Sequence, residues 1–465
     1  MWRSGASAPI LRTSIDFGSV STPSNVAADA TGRPSESPSG TSVGMRRIVR
    51  EIGATSRVRR TGIASYRVRT SRPGRWSGGS GCETLAYHPR MASDRIVELL
   101  RSAPLIDGHN DLVWALRKAA DNGESHDVGA SAPSLHTDLP RLERGGVRGQ
   151  FWSVYVPSDL ADPHAAVTMT LEQIDALFAL VRSHPDRLEL ARTADDVERI
   201  AAAGRVASMI GVEGGQSIGS SLGALRILAG LGAGYLTLTH NDDTPWADSG
   251  TGERAHGGLT TFGEEVVREL NRLGVLVDLS HVSDDTMRQA IEVSRAPVLF
   301  SHSNARALCD VPRNVPDDVI ELVGRTDGVI CATFVPWFLT AEGAEANEAE
   351  WREIRKLKEE HPDDPDAVRV AVEEMEETQP TPASSVRDVA DHVDHIRDVA
   401  GIDHVGVGSD FDGLPGMPDG LEDVSTYPAL FAELADRGYD DQALAKIAGR
   451  NVLRVMRAAE RVSAG

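Results

Sequence analysis

The chain has 465 residues, 40 % of them hydrophobic and 25 % charged, and no apolar run approaches the roughly 18 residues that a bilayer span needs. The formal net charge of −21 is unevenly spread: residues 1–90 carry 14 Arg and no Lys against 5 acids, which leaves the other 375 residues at −30. That acid excess argues against nucleic acid or an anionic membrane as partner of the folded part and favours solubility through self-repulsion.

In chain order, residues 1–90 come first, rich in Ser, Gly, Thr, Arg and Pro ("STPSNVAADATGRPSESPSGTSVG"). They have too few periodic apolar positions to offset the entropy of ordering. This segment is expected to be disordered, or to lie upstream of a true start at Met91, and "MWRSGASAPILRTSIDFG" holds no apolar core of a secretory signal. The three cysteines, Cys82, Cys309 and Cys331, are too few for a disulfide framework and lack zinc-ribbon spacing, so a reducing cytoplasm is the expected location.

From Met91 to Gly465 short apolar runs alternate with helical patterns, the signature of βα units on a parallel sheet. Eight strands are expected: 105–109, 149–156, 207–214, 235–240, 275–281, 297–302, 328–335 and 404–411. Between them lie helices such as 260–274, ending on Gly274, and 283–294, which Ser283 can cap. Eight units predict an α/β fold of the closed (β/α)8 TIM-barrel type. The acidic stretch 341–379 reads as a helical insertion after the seventh strand, by default a solvated helical pair, with a lid over the pocket mouth as the other reading.

Six of the eight strands carry His, Asp or Glu at or next to their ends, and barrel enzymes place their chemistry at the C-terminal ends of strands. In "IDGHND", His109 and Asp111 are two apart, a spacing that points both to one side of an extended strand end. Glu213 in "IGVEGG" is a carboxylate able to bridge two cations, and His281 and His302 close successive strands in "VDLSH" and "LFSHS". Asp410 in "GVGSDFDG" can face the pocket, with Asp412 left to the turn. Singly, such residues are more often caps or satisfied core groups; their concurrence at strand ends is what points to a metal centre. Nitrogen and oxygen ligands without thiolate suit catalytic zinc, with manganese or cobalt as alternatives.

The motifs "LIDGHNDL", "IGVEGG", "LTLTHND", "VDLSHVS", "SHSNARALCDVPRNVPDD" and "GVGSDFDGLPGMPDGLEDVS", in this order, resemble the membrane (renal) dipeptidase family, peptidase family M19, over nearly all of Met91–Gly465. The resemblance implies a zinc-dependent dipeptidase with two zinc ions per chain and a metal-bridging hydroxide as nucleophile. It implies that His109 and Asp111 hold one zinc, that His281 and His302 hold the other, and that Glu213 bridges them. His240 and Arg313 would contact the dipeptide substrate, His240 also stabilising the oxyanion, and Asp410 would move protons. It further implies tolerance of a C-terminal D-residue, and a homodimer is compatible with it. The residue two beyond His240 is Asp242 rather than Cys, and "RVSAG" ends the chain without a lipid-anchor tail, so the closer resemblance is to soluble bacterial members. Another binuclear barrel hydrolase, of lactonase, phosphotriesterase or deacetylase type, would bring a His-x-His after the first strand and often a carbamylated Lys. Here "HND" offers Asp111 instead, and the four Lys of the domain (118, 356, 358, 446) lie away from the expected strand ends. A barrel that has lost its chemistry would lack a ligand or the acid, and none is missing.

Overall fold

The computed structural model describes residues 89–464 apart from 159, 161, 162, 362, 363 and 379; the expectation for the N-terminal segment therefore lies outside the described residues, save for a helix that begins at Pro89. Nine parallel strands follow: β1 Leu105–Asn110, β2 Val147–Tyr155, β3 Leu188–Leu190, β4 Val206–Glu213, β5 Ala233–Thr237, β6 Leu276–Asp278, β7 Leu299–Phe300, β8 Val329–Ala332 and β9 Val405–Val407. Eight of them close into a barrel, because β2 pairs with β1 on one side and β4 on the other, and β1 also pairs with β9. The fold is the expected (β/α)8 barrel. The additional strand β3, a three-residue "LEL" that pairs only with β4, is too short to stand out as an apolar run.

Side chains alternate across a strand, and the two buried clusters divide along that alternation. Ile106, Phe151, Met209, Tyr235, Leu276, Leu299 and Cys331 belong to one cluster. Their chain neighbours Leu105, Trp152, Ile210, Leu236, Val277, Phe300 and Ile330 belong to the other, together with helical residues such as Leu142, Leu177, Leu228 and Leu270. These seven strands are thus apolar on both faces, as a barrel wrapped in helices requires.

The helices start and stop where side chains satisfy their free backbone groups. Thr260 and Ser283 cap Thr261–Leu273 and Asp284–Val293 by accepting from Gly263 N and Thr286 N, and Gly274 closes the first in the left-handed conformation at φ 71°. The acidic stretch forms two helices, Ala341–Glu360, capped by Thr340, and Pro365–Thr378. Among the described residues no helix is long and apolar enough to cross a membrane.

Candidate active site

The chemistry-bearing residues sit at and just beyond the strand ends. His109 lies within β1 and Glu213 is the last residue of β4. His240, His281, His302 and Asp410 follow β5, β6, β7 and β9 by two or three residues. His281 (φ 71°) and Asp410 (φ 68°) adopt left-handed backbone, and the strands expected to run through 281 and 411 stop before them, at Asp278 and Val407. Non-glycine residues in this region are strained and cluster at functional sites. Asp111 is not on the strand: it is the cap residue of the helix Leu112–Asp121. The turn into that helix, rather than strand alternation, brings its Oδ2 within 3.3 Å of His109 Nε2.

Glu213 is the centre of the constellation. Its Oε1 lies 3.1 Å from His281 Nε2, 3.7 Å from His302 Nε2 and 3.7 Å from His240 Nε2, while its Oε2 lies 3.3 Å from His109 Nε2 and accepts from Ser153 Oγ at 2.8 Å. The two oxygens of one buried carboxylate therefore face two separate sets of donors. His281 Nε2 and His302 Nε2 face each other at 3.0 Å. Burial holds both imidazoles well below their ordinary range, the Arg313 charge acting the same way, so they are neutral, as metal-ligating imidazoles must be. Burial pushes the Glu213 carboxyl up, but His109 and the hydrogen bond from His281 outweigh it and keep it ionised.

A layer of buried carboxylates and hydroxyls orients these ligands. Ser301 Oγ donates to Asp278 Oδ2 at 2.7 Å and lies 2.8 Å from His302 Nδ1. Its single hydrogen goes to Asp278, so His302 donates through Nδ1 and presents a bare Nε2 to the site. Asp278 Oδ1 also accepts from Ser301 N, and its Oδ2 accepts from Thr237 Oγ1. Asp107 does the same on the opposite side of the barrel: it accepts from Ser409 N, Ser409 Oγ and Tyr427 Oη, and from His109 N two residues along its own strand. His109 Nδ1 meets Tyr235 Oη at 2.9 Å. The motif reading missed this layer, although a carboxylate inside an apolar strand ("LIDGH", "LVDLSH") is itself an anomaly of burial. Asp412 is occupied elsewhere, accepting from His136 N at 2.6 Å, which leaves it to the turn.

A cavity of about 300 Å³ opens over the cluster, lined among others by Asp111, Glu213, His240, His281, Arg313 and Asp410, and by residues of both insertion helices. Burial pushes the Asp410 carboxyl well above its ordinary value; His109 opposes this, while Asp111 and Glu213 add to it. Gly413 permits that crowding, since a Cβ there would sit 2.7 Å from both Asp111 Oδ2 and Asp410 Oδ1. Arg313 is 3 % exposed, lies 5.3 Å over the Phe338 ring and leaves its Nη1 without a hydrogen-bond partner. Burial pulls its guanidinium down to about 10, still a cation at neutral pH.

Three groups place their ligand atoms within 4.8 Å of one another: His109, Asp111 and Glu213; Glu213, His281 and His302; and His109, His302 and Asp410. His109 Nε2 and His281 Nδ1 are buried without hydrogen-bond partners, and no thiolate takes part. Buried donors of this kind, with carboxylates among them, fit divalent cations. A (β/α)8 barrel with such a cluster at its strand ends defines a metal-dependent hydrolase. Residues 93–465 match the family model described as membrane dipeptidase (peptidase family M19), and the chain belongs to that family. It is a metallo-dipeptidase. Among solved structures it is similar to a probable dipeptidase, PvdM, from Pseudomonas aeruginosa (26 % identity, TM-score 0.69, covering 81 % of this chain and 100 % of that one). It is also similar to a metallo peptidase from Rhodobacter sphaeroides liganded with a phosphinate mimic of the dipeptide L-Ala-D-Ala (28 % identity, TM-score 0.63, covering 77 % and 99 %).

Proposed function

We propose that the protein is a binuclear zinc dipeptidase in which His109 and Asp111 hold one ion, His281 and His302 hold the other, and Glu213 bridges the two. The observation that carries this reading is the split of Glu213, with Oε1 toward His281 and His302 and Oε2 toward His109. A zinc pair supplies Lewis acidity toward the scissile carbonyl and a water acidified from about 15.7 to about 7, hence a hydroxide nucleophile at neutral pH.

The chain's own residues do the rest. Arg313, a buried cation with an unpartnered Nη1, pairs with the free C-terminal carboxylate and fixes the register of the peptide bond. His240, kept neutral by burial, donates to the carbonyl oxygen as negative charge develops on it. Asp410, whose Oδ1 lies 3.8 Å from His109 Nε2 beside the cluster, takes the nucleophile's proton as a carboxylate and returns it to the leaving amine. Dipeptides are the substrates, and a D-residue at the C-terminal position is accepted, as the family resemblance implies. The Rhodobacter relative was captured with an L-Ala-D-Ala mimic, which supports the same reading.

The test separates metal binding from proton transfer. Glu213→Gln lowers the metal content measured after dialysis. Asp410→Asn keeps close to two metals per chain while kcat falls by at least about 10²-fold. Loss of a metal from Asp410→Asn would make it a structural ligand, and retention of both metals with near-normal turnover would end its role as the proton carrier.

A further inference from the structure

Five carboxylates line the cavity: Asp111, Glu213, Asp242, Glu350 and Asp410. Asp111, Glu213 and Asp410 belong to the histidine cluster, and Glu350 sits on the insertion helix Ala341–Glu360. Asp242 is therefore the carboxylate that the barrel's own loops bring to the cavity outside the cluster. It follows His240 by two residues on the loop after β5, and that loop is pinned: Ser249 Oγ donates to His240 O at 2.6 Å and Thr251 Oγ1 to Asn241 O at 2.7 Å.

The carboxylate of Asp242 is held and kept charged. Its Oδ2 accepts from Ser158 Oγ at 2.7 Å, and its Oδ1 accepts from Lys358 Nζ, at the far end of the insertion helix, at 2.7 Å. Burial pushes this carboxyl up, but the Lys358 charge and the two hydrogen bonds outweigh it and hold it below its ordinary value. A carboxylate has room for about four donors, so these two leave it able to accept another. Lys358 also shows what kind of group it accepts, a primary alkylammonium, which is the chemistry of a peptide's free amino end.

The place of Asp242 complements that of Arg313. Ser158, which anchors Asp242, follows β2, whereas Arg313 lies on the segment after β7, and these two strands stand across the barrel from each other. His240 answers to both: burial keeps it neutral, and the Arg313 cation and the Asp242 anion act on it with opposite sign. Its Nε2 is 3.7 Å from Glu213 Oε1. A cation, a neutral donor beside the cluster and an anion match the carboxylate, scissile carbonyl and ammonium of a zwitterionic dipeptide.

We infer that Asp242 is a specificity-determining residue: its carboxylate accepts from the free α-ammonium of the dipeptide while Arg313 takes the C-terminal carboxylate, so that both ends of the zwitterion are read. The inference rests on the dipeptidase reading and extends it to the amino end. A charge-assisted hydrogen bond of this kind supports about a 10- to 100-fold effect on affinity.

The test uses the full-length, metal-loaded protein with a free dipeptide and its N-acetyl derivative, the latter followed as a substrate or, where turnover is too slow, as a competitive inhibitor. Asp242→Asn preserves size and an acceptor for Ser158. It raises KM for the free dipeptide about 10- to 100-fold with kcat changed less than about threefold, and leaves KM or Ki of the N-acetyl compound unaltered. Lys358→Met breaks the tie to the insertion but spares the carboxylate, and changes KM for the free dipeptide less than about threefold. An unchanged KM in Asp242→Asn overturns the inference. So does an equal loss for the N-acetyl compound, or a Lys358→Met variant that reproduces the Asp242→Asn defect, since either reduces Asp242 to a structural tie. If the wild-type protein hydrolyses no dipeptide at all, it is the functional reading that falls.

Discussion

At the scale of single residues, the site depends on groups that never touch a substrate. Ser301 links Asp278 to His302 and so sets which ring nitrogen is bare. Ser301→Ala removes that link while leaving the ligand in place, and changes of this kind lower metal affinity about 10- to 100-fold. Competition against a chelator of known affinity measures it, and an unchanged affinity would reduce the serine to packing. Gly413→Ala is a second case. Its new methyl would meet Asp111 Oδ2 and Asp410 Oδ1 at 2.7 Å, so the variant should fold, shown by an unchanged circular dichroism spectrum, while both metal content and turnover drop. All eight residues that the motifs single out, His109, Asp111, Glu213, His240, His281, His302, Arg313 and Asp410, gather at one end of the barrel around the cavity or directly beneath it. Seven of them show as polar residues at or just past the end of an apolar run, whereas Arg313, in "VPRNVPDD", is legible only through the family resemblance. Asp278 and Ser301 were not legible in this way. Their meaning depends on which strands are neighbours, as in the pairing of Asp278 with Leu299.

At the scale of elements, short apolar runs located all eight barrel strands, but the ends of several were overestimated, among them those before the left-handed residues His281 and Asp410, a change that side-chain pattern does not encode. The helix Val386–Ala400 carries a capping box at Ser385 and Asp388 and is fastened to the barrel loops by buried His392. Its Nδ1 accepts from Ala305 N at 3.1 Å, and its Nε2 donates to Leu339 O at 3.0 Å. Burial pulls His392 from its ordinary 6.5 down to about 4. The unfolded chain therefore binds a proton that the folded chain refuses between those two values. The stabilisation is complete above about pH 6.5 and is lost as pH falls toward 4, by about 3 kcal/mol in all. Thermal melts of the wild type across this window should fall more steeply than those of His392→Gln, which should start lower at pH 7; parallel curves would show that other groups govern the acid limb.

At the scale of the whole molecule, the +9 of residues 1–90 and the −30 of the remainder suggest a division of labour. A chain starting at Met91 should keep the melting temperature and turnover of the full-length protein, because the segment removed lacks core-forming periodicity; a loss of more than a few-fold in turnover would assign it a role in the barrel. Added salt should raise the melting temperature of the metal-loaded protein by screening its self-repulsion, and a flat response would mean the acids are already neutralised by local pairs. The two parts of the site differ in another respect. The proposed metal ligands rise from barrel strands packed on both faces, whereas the helix Ala341–Glu360, which lines the same cavity, has its far end tied by the exposed pair Lys358–Asp242, a kind of bond worth about 0–1 kcal/mol. Opening free energies within one protein range from near zero to the global value. Amide hydrogens of Ala341–Glu360 should accordingly exchange orders of magnitude faster than those of β4 and β5, and slow when a dipeptide analogue is bound. Product could then leave by lifting one helix, with the metal cluster undisturbed from one turnover to the next.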